Sequence, residues 1–317
     1  MRSGRVPELD ALRGVAVLMV MLYHYGSRYD GLYGHAGSFP FETEWGYYGV
    51  HVFFMISGCV ILLTARRAAS AGAFLANRVV RLYPAFWVAC AITLGVVGVF
   101  GLPGREVTLL QALPNVTMFP SQLGGRMIDG VYWTLRVEWI FYALVAAMLA
   151  LGRGGLIALV LTVLVGLDAL GLGVGKFFSC FLVGVCAYET AGRRPAQCGL
   201  HAAALALCLR DLARHNPPEI VAMLAGFGVL IFVLARRPLS WLANPVLVFT
   251  GTISYGLYLL HQNIGYVAMR ECYERGATMP VAIGVALAVV TALAAGLTFA
   301  VERPVLEWWR DRRARVG

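Results

Sequence analysis

Arg13 and His24 stand eleven positions apart in one apolar run of the chain. At about 100° per residue, an α-helix returns them to nearly the same face after three turns, roughly 16 Å apart along the axis. Arg13, Val17, Val20 and His24 then form one stripe. At that separation the two side chains do not touch, so neither sets the other's charge by pairing. Ionisable groups inside a membrane are costly and usually face a bundle interior or a wet cavity. An arginine at one end of a stripe and a histidine at the other suggest a path between two compartments. Each residue also has an ordinary reading. Arg13 can snorkel to the interface or pair with Asp10 at i, i+3, and His24 can sit at the opposite interface. Their placement on one face favours the path.

Other chemistry is poorly represented. The six histidines are scattered and no HExxH pattern occurs, so no metal is expected. Cys59, Cys90, Cys180, Cys186, Cys198, Cys208 and Cys272 form no CxxC pair and are read as small buried hydrophobes.

The elements that must position these residues follow from composition. Hydrophobic residues make up 59% of 317 and charged residues 14%, with a mean hydropathy of +0.72. A soluble chain is about a quarter charged. A secreted domain, a disordered scaffold and a cytosolic enzyme are therefore excluded, and an all-α polytopic bundle remains. Segments 9–26, 48–65, 84–101, 131–151, 154–172, 175–191, 199–213, 219–235, 245–268 and 281–301 are the expected spans. Segment 199–213 is the weakest, because it carries Arg210 and Asp211. Arg13 and the lack of a cleavage site after Tyr25 argue that the first segment is a retained helix and not a signal peptide.

With about ten spans, basic residues concentrate on one side of the membrane. Arg2, Arg5, Arg66, Arg67, Arg78, Arg81, Arg153, Arg193, Arg194, Arg236, Arg237 and the C-terminal arginines fall there. Fewer fall opposite, among them Arg28, Arg105, Arg126 and Lys176. The bias predicts cytoplasmic N- and C-termini. The net charge of +9 is first a topology device, and nucleic-acid binding has no support. Lys176 is the sole lysine among 26 Lys and Arg, a coding bias that suggests a GC-rich bacterial genome; a bacterial cytoplasmic membrane is the expected location. Two long outer loops are expected, at 27–47 and 102–130, either of which can lie over an outward-facing site.

The segment from Glu8 to Val17, followed by His24, resembles the opening of the membrane acyltransferase family 3 proteins, whose first helix carries an arginine, ten residues and a histidine. Phe53-Phe54-Met55-Ile56-Ser57-Gly58 is similar to that family's FFxxSG motif. Arg78-Val79-Val80-Arg81-Leu82-Tyr83-Pro84 is similar to RxxRxxP, and Trp133 to Tyr142 to WSLxVExxFY. Ser254 to His261 is similar to SYxxYLxH, and Glu302-Arg303-Pro304 to ExP. His51 and Arg136 depart from the pattern, standing where an acidic residue and Ser are common. The resemblance spans nearly the whole chain and implies one transmembrane acyltransferase domain over 1–317, with no appended extracytoplasmic domain expected.

The resemblance also implies roles. The donor is a cytoplasmic acyl-CoA, with acetyl-CoA the first expectation. Arg13, Arg78 and Arg81 suit its phosphates, because guanidinium makes bidentate, charge-assisted contacts. His24 is the candidate base, acting directly on the acceptor or through an acyl-histidine. Arg13 and Glu138 complete the candidate catalytic set. Glu138 either orients His24 and holds sugar hydroxyls, or makes a structural ion pair. His51, Tyr258 and His261 are candidate acceptor-binding residues, with an interhelical polar contact as the ordinary alternative for the last two. Tyr83-Pro84 is expected to mark the start of the third span. The acceptor is expected to be a glycan hydroxyl of exopolysaccharide, lipopolysaccharide or a lipid-linked oligosaccharide. A macrolide-like metabolite is the alternative acceptor, and a transporter without acyl transfer is the alternative class. Beyond acyl-CoA, acceptor and membrane lipids, the sequence implies no partner, and oligomeric state is not legible.

Overall fold

The computed structural model describes residues 6–37, 39–172 and 177–316. Arg2, Arg5 and Lys176, which entered the charge distribution, lie outside them. Among the described residues every regular element is helical. In chain order these are α1 (Pro7–Tyr23), α2 (Tyr29–Tyr33), α3 (Gly49–Ala65), α4 (Ala71–Phe100), α5 (Leu109–Ala112), α6 (Trp133–Ala150) and α7 (Ile157–Ala169). There follow α8 (Phe178–Thr190), α9 (Gly199–His215), α10 (Pro218–Arg236), α11 (Pro245–Thr252), α12 (Ser254–Glu274), α13 (Met279–Leu297) and α14 (Arg303–Val316). A π-helical turn, His24–Arg28, follows α1, and another, Thr298–Glu302, joins α13 to α14.

Among the described residues, five helical stretches are long and apolar enough to cross a membrane: Glu44–Ala65, Ala71–Phe100, Gly130–Ala150, Pro218–Arg236 and Met279–Arg315. They coincide with five of the ten expected segments, and the protein is a membrane protein. The other five form shorter or more polar helices. α7 and α8 have 13 residues each, below the length of about 20 that a span needs. α9 carries Arg210, Asp211 and Arg214 within its 17 residues.

Two boundaries differ from expectation. Pro84 does not start the third span, because α4 begins at Ala71 and runs through Pro84 to Phe100. Proline removes one backbone donor, but ending the helix in an apolar medium would strand several. The expected segment 245–268 is not one helix. Ile253 leaves helical geometry at φ −96°, ψ 7°, and the Ser254 hydroxyl donates to the Gly251 carbonyl at 2.8 Å, taking an acceptor that a continuing helix would use.

The chain forms two compact units, each discontinuous in sequence. One holds the described residues up to Ala16, with Tyr48–Ala76 and Val137–Thr250; the other holds Val17–Tyr47, Asn77–Arg136 and the chain from Gly251 onward. The first unit is built on α3 against α8. A Cβ on Gly58 would collide with the Phe181 backbone, and one on Gly184 with the Met55 backbone. The two helices therefore approach through reciprocal glycines, as small-residue packing in membranes allows. Phe181 stacks on Phe141 with centroids 4.2 Å apart. In the second unit, Gly256 lets α12 approach α13 at Ala294.

The expected loop at 102–130 is a built structure. Thr108 and Gln111 form a capping box that starts α5. Buried Asn115 then ties the segment together, its amide donating to Ala112 O and Arg126 O at 2.8 Å and accepting from Ile128 N at 3.2 Å.

Candidate active site

His24 begins the π-helical turn that ends α1. The turn departs from helical geometry at Gly26, φ −97° and ψ −115°, where a side chain would run into Thr43 and Phe39. Thr43 and Ser27 lock it in place: the Ser27 N–H donates to Thr43 Oγ1 and the Thr43 N–H to Ser27 Oγ, each at 2.9 Å. Single π turns inside helices are frequent at functional sites. Here the turn sets the direction of an 8% exposed imidazole.

That imidazole meets a second one. His24 Nδ1 lies 2.9 Å from Val20 O and 3.1 Å from His261 Nε2, with the rings edge to face at 4.8 Å. His261 Nδ1 lies 2.9 Å from Tyr258 O and 3.1 Å from Leu257 O. Carbonyls only accept, so the hydrogen-bond network assigns the proton of His261 to Nδ1, and its neutral ring presents Nε2 as an acceptor. His24 Nδ1 then faces two acceptors, Val20 O and His261 Nε2, and must be the donor. The unprotonated nitrogen of neutral His24 is Nε2. It is the nitrogen able to take a proton or attack a carbonyl.

Three side chains fix the backbone around His261. Tyr25 donates its hydroxyl to His261 O at 2.9 Å, Tyr132 donates to Leu259 O at 3.2 Å, and Asp129 Oδ2 accepts the Asn263 N–H at 3.0 Å. Asp129 also accepts the Val131 N–H at 3.2 Å. Burial pushes its carboxyl up to about 6, against those hydrogen bonds.

The other expected residues fall in three places. Arg78 and Arg81 lie one turn apart on α4, and Arg81 Nη2 is 3.9 Å from Glu302 Oε1. RxxRxxP and ExP, far apart in sequence, thus meet in one unit. Beside them, Asn77 Oδ1 accepts from Trp309 Nε1 at 2.8 Å and Arg313 Nη1 at 3.0 Å. Arg13 lies on α1 in the first unit, 3.7 Å from Asp10. His51 and Glu138 belong to the same unit as Arg13. His51 is buried against the rings of Tyr48 and Phe177, 4.9 and 5.4 Å away, and Glu138 Oε1 accepts from Ser57 Oγ at 3.1 Å. The hydroxyl of Tyr258 donates to Val131 O at 3.1 Å and accepts from Thr134 at 2.8 Å. His261 is fully buried.

Sequence reasoning missed Asp129, Tyr25 and Tyr132, the side chains that pin α12. Asp129 carried a signal, being an Asp-Gly ahead of an apolar run, the composition of a helix N-cap. It also missed a buried cluster in the first unit, where Glu189 accepts from Arg66 at 3.1 Å and from His201 Nε2 at 3.0 Å.

A family profile described as an acyltransferase domain matches residues 6–300. The chain belongs to the acyltransferase 3 family. Among curated relatives of this family member, the exopolysaccharide production protein ExoZ of Rhizobium meliloti (strain 1021) is 27% identical over 301 residues, covering 85% of this chain and 92% of ExoZ. Nodulation protein 10 of Rhizobium leguminosarum bv. viciae is 30% identical over 171 residues, 48% of this chain and 46% of the relative. No solved structure gives a significant match. The protein is an acyltransferase.

Proposed function

We propose that this acyltransferase moves an acyl group, acetyl in the first instance, from cytoplasmic acyl-CoA to a hydroxyl of a surface or exported glycan. The proposed setting is the bacterial cytoplasmic membrane, with ten spans and both termini inside. The observation that carries the chemistry is the tethering of His24 Nδ1 by Val20 O and His261 Nε2, which leaves Nε2 as the base.

An alcohol is a poor nucleophile at neutral pH, so its proton must leave as the new bond forms. His24 Nε2 takes the hydroxyl proton while the oxygen attacks the thioester carbonyl carbon. The tetrahedral intermediate collapses, the C–S bond breaks, and His24 returns the proton to the departing thiolate. The products are the ester and CoA thiol. During the step His24 is an imidazolium, and its Nδ1–H bonds to Val20 O and His261 Nε2 strengthen, as charge-assisted bonds do. His261 is thus a positioning residue that also shares the charge, as the orienting member of a triad does. Tyr258, through its carbonyl, holds His261 in the required tautomer.

On the donor side, Arg13, Arg78 and Arg81 are proposed to hold the CoA phosphates. The long Arg81–Glu302 pair, with Arg81 37% exposed, orients the guanidinium while leaving it reachable by an incoming anion. Glu138 and His51 are proposed to contact acceptor hydroxyls. ExoZ, by name an exopolysaccharide production protein, supports a polysaccharide acceptor.

Mass spectrometry of surface glycans from cells with the gene, without it, and with His24→Ala tests the reading. Acyl esters are expected in the first and absent in the other two. Unchanged glycans, with an acylated small metabolite or with altered substrate export instead, would overturn it.

A further inference from the structure

The segment 102–130 and α12 line an open, partly polar cavity of about 460 Å³, bordered by Arg105, Ser121, Arg126, Met127, Gly130 and Asn263 among others. Its volume is that of a small-ligand site. Asn263 lies two residues beyond His261 on α12, about 200° around the helix axis from it.

Its walls are held in place. Asn115 pins the carbonyl of Arg126 and the N–H of Ile128. Asp129, beside Gly130, is committed to two backbone N–H groups. Arg105 is half-buried and Arg126 exposed; Arg105 also reaches the Tyr33 hydroxyl and faces the buried Asp129 carboxyl. Asn263 is 1% exposed. Its amide nitrogen donates to Ile128 O at 2.8 Å, which fixes the flip of the amide, and its Oδ1 has no hydrogen-bond partner among the described residues. A buried acceptor without a donor is costly unless a ligand supplies one. Gly130 keeps the space open: a Cβ there would lie 3.0 Å from Arg105 Nη1 and 2.8 Å from Gln262 Oε1. The cavity therefore offers guanidinium groups for an anion and a buried carbonyl for a hydroxyl, on the same helix as the partner of the proposed base.

We infer that this cavity binds the acyl acceptor, and that the acceptor is an anionic glycan: Arg105 and Arg126 read its negative group while Asn263 Oδ1 accepts from a sugar hydroxyl. The negative group is either the carboxylate of an acidic sugar or the pyrophosphate of a lipid-linked carrier. This rests on the glycan acyltransferase reading, but binding is measurable without turnover.

The test uses purified full-length protein in nanodiscs and three probes: a glucuronate-containing trisaccharide, its carboxyl-reduced counterpart, and a neutral trisaccharide on a polyprenyl pyrophosphate. The carboxylate or the pyrophosphate probe is expected to bind about tenfold tighter than the reduced trisaccharide, the scale of one charge-assisted contact. Whichever does so identifies the source of the anion. Arg105→Ala removes the preference. Gly130→Ala, which crowds Arg105 and Gln262 without removing a charge, weakens binding of the same probe. Equal binding of all three probes, or a preference that survives both variants, overturns the inference. If the preference holds but no acyl transfer to the bound probe occurs with acetyl-CoA, the acyl-transfer reading fails and the binding site stands.

Discussion

The two units each bury a histidine in a polar contact, and the two contacts differ in kind. In the first, His201 donates from Nε2 to Glu189, which also receives Arg66. A carboxylate between a guanidinium and an imidazole is a closed arrangement in which the charges compensate one another. In the second, His24 is held by a carbonyl and another imidazole, neither of which supplies a full charge. Its proton is positioned on Nδ1, and Nε2 keeps a lone pair. Here the acid-paired His201 completes a charge-compensated cluster, whereas His24, its tautomer fixed by neutral acceptors, is the histidine proposed to transfer a proton. Burial alone does not separate them, since His201 and His24 are 5% and 8% exposed.

Substitutions sharpen that contrast. His261→Gln removes the imidazole acceptor from His24 and is expected to lower kcat about ten- to a hundredfold with KM for acyl-CoA unchanged. His201→Gln leaves kcat per folded molecule as in wild type. Steady-state kinetics on both purified variants check this, and equal losses would erase the distinction. Glu189→Ala strands His201 and the half-exposed Arg66, and should cost about 1–3 kcal/mol. It is read as a Tm drop of several degrees with transfer per folded molecule retained. Tyr25→Phe deletes one hydrogen bond to His261 O, worth about 1 kcal/mol. It should lower kcat severalfold, and by more than it lowers Tm in proportion, because the bond holds the positioning residue. A Tyr25→Phe enzyme with wild-type kcat and reduced Tm would make that bond structural only.

Much of the architecture was legible from residue type. Helical class and the five long apolar crossings follow from composition and run length, which a low-dielectric medium enforces residue by residue. The start of α4 was not legible, because Pro84 reads as a helix start in water but is carried within a helix when no solvent can take up the freed carbonyls. The break at Ile253 was hidden for a related reason. It depends on the Ser254 hydroxyl choosing the Gly251 carbonyl, a local competition that hydropathy does not register.

For the site, the spacing of Arg13 and His24 marked one helix face as a path, and the family resemblance made His24 the candidate base. Its partner was not assigned, since 237 positions separate His24 from His261. Nothing in the SYxxYLxH pattern says which nitrogen faces which neighbour. The 102–130 segment read as a loop, rich in Gly and Pro, because its order comes from one asparagine bonding three backbone groups. Asn115, like Asp129, does its work through distant backbone atoms that periodicity cannot connect.

The most direct measurement is transfer of radiolabelled acetyl from acetyl-CoA to an oligosaccharide acceptor by purified protein in proteoliposomes. Wild type is compared with a folded, membrane-inserted His24→Ala variant. Labelled ester is expected with wild type, and with His24→Ala a rate lower by at least about a hundredfold. Transfer by His24→Ala at a near-wild-type rate would contradict the assignment of His24 as the base.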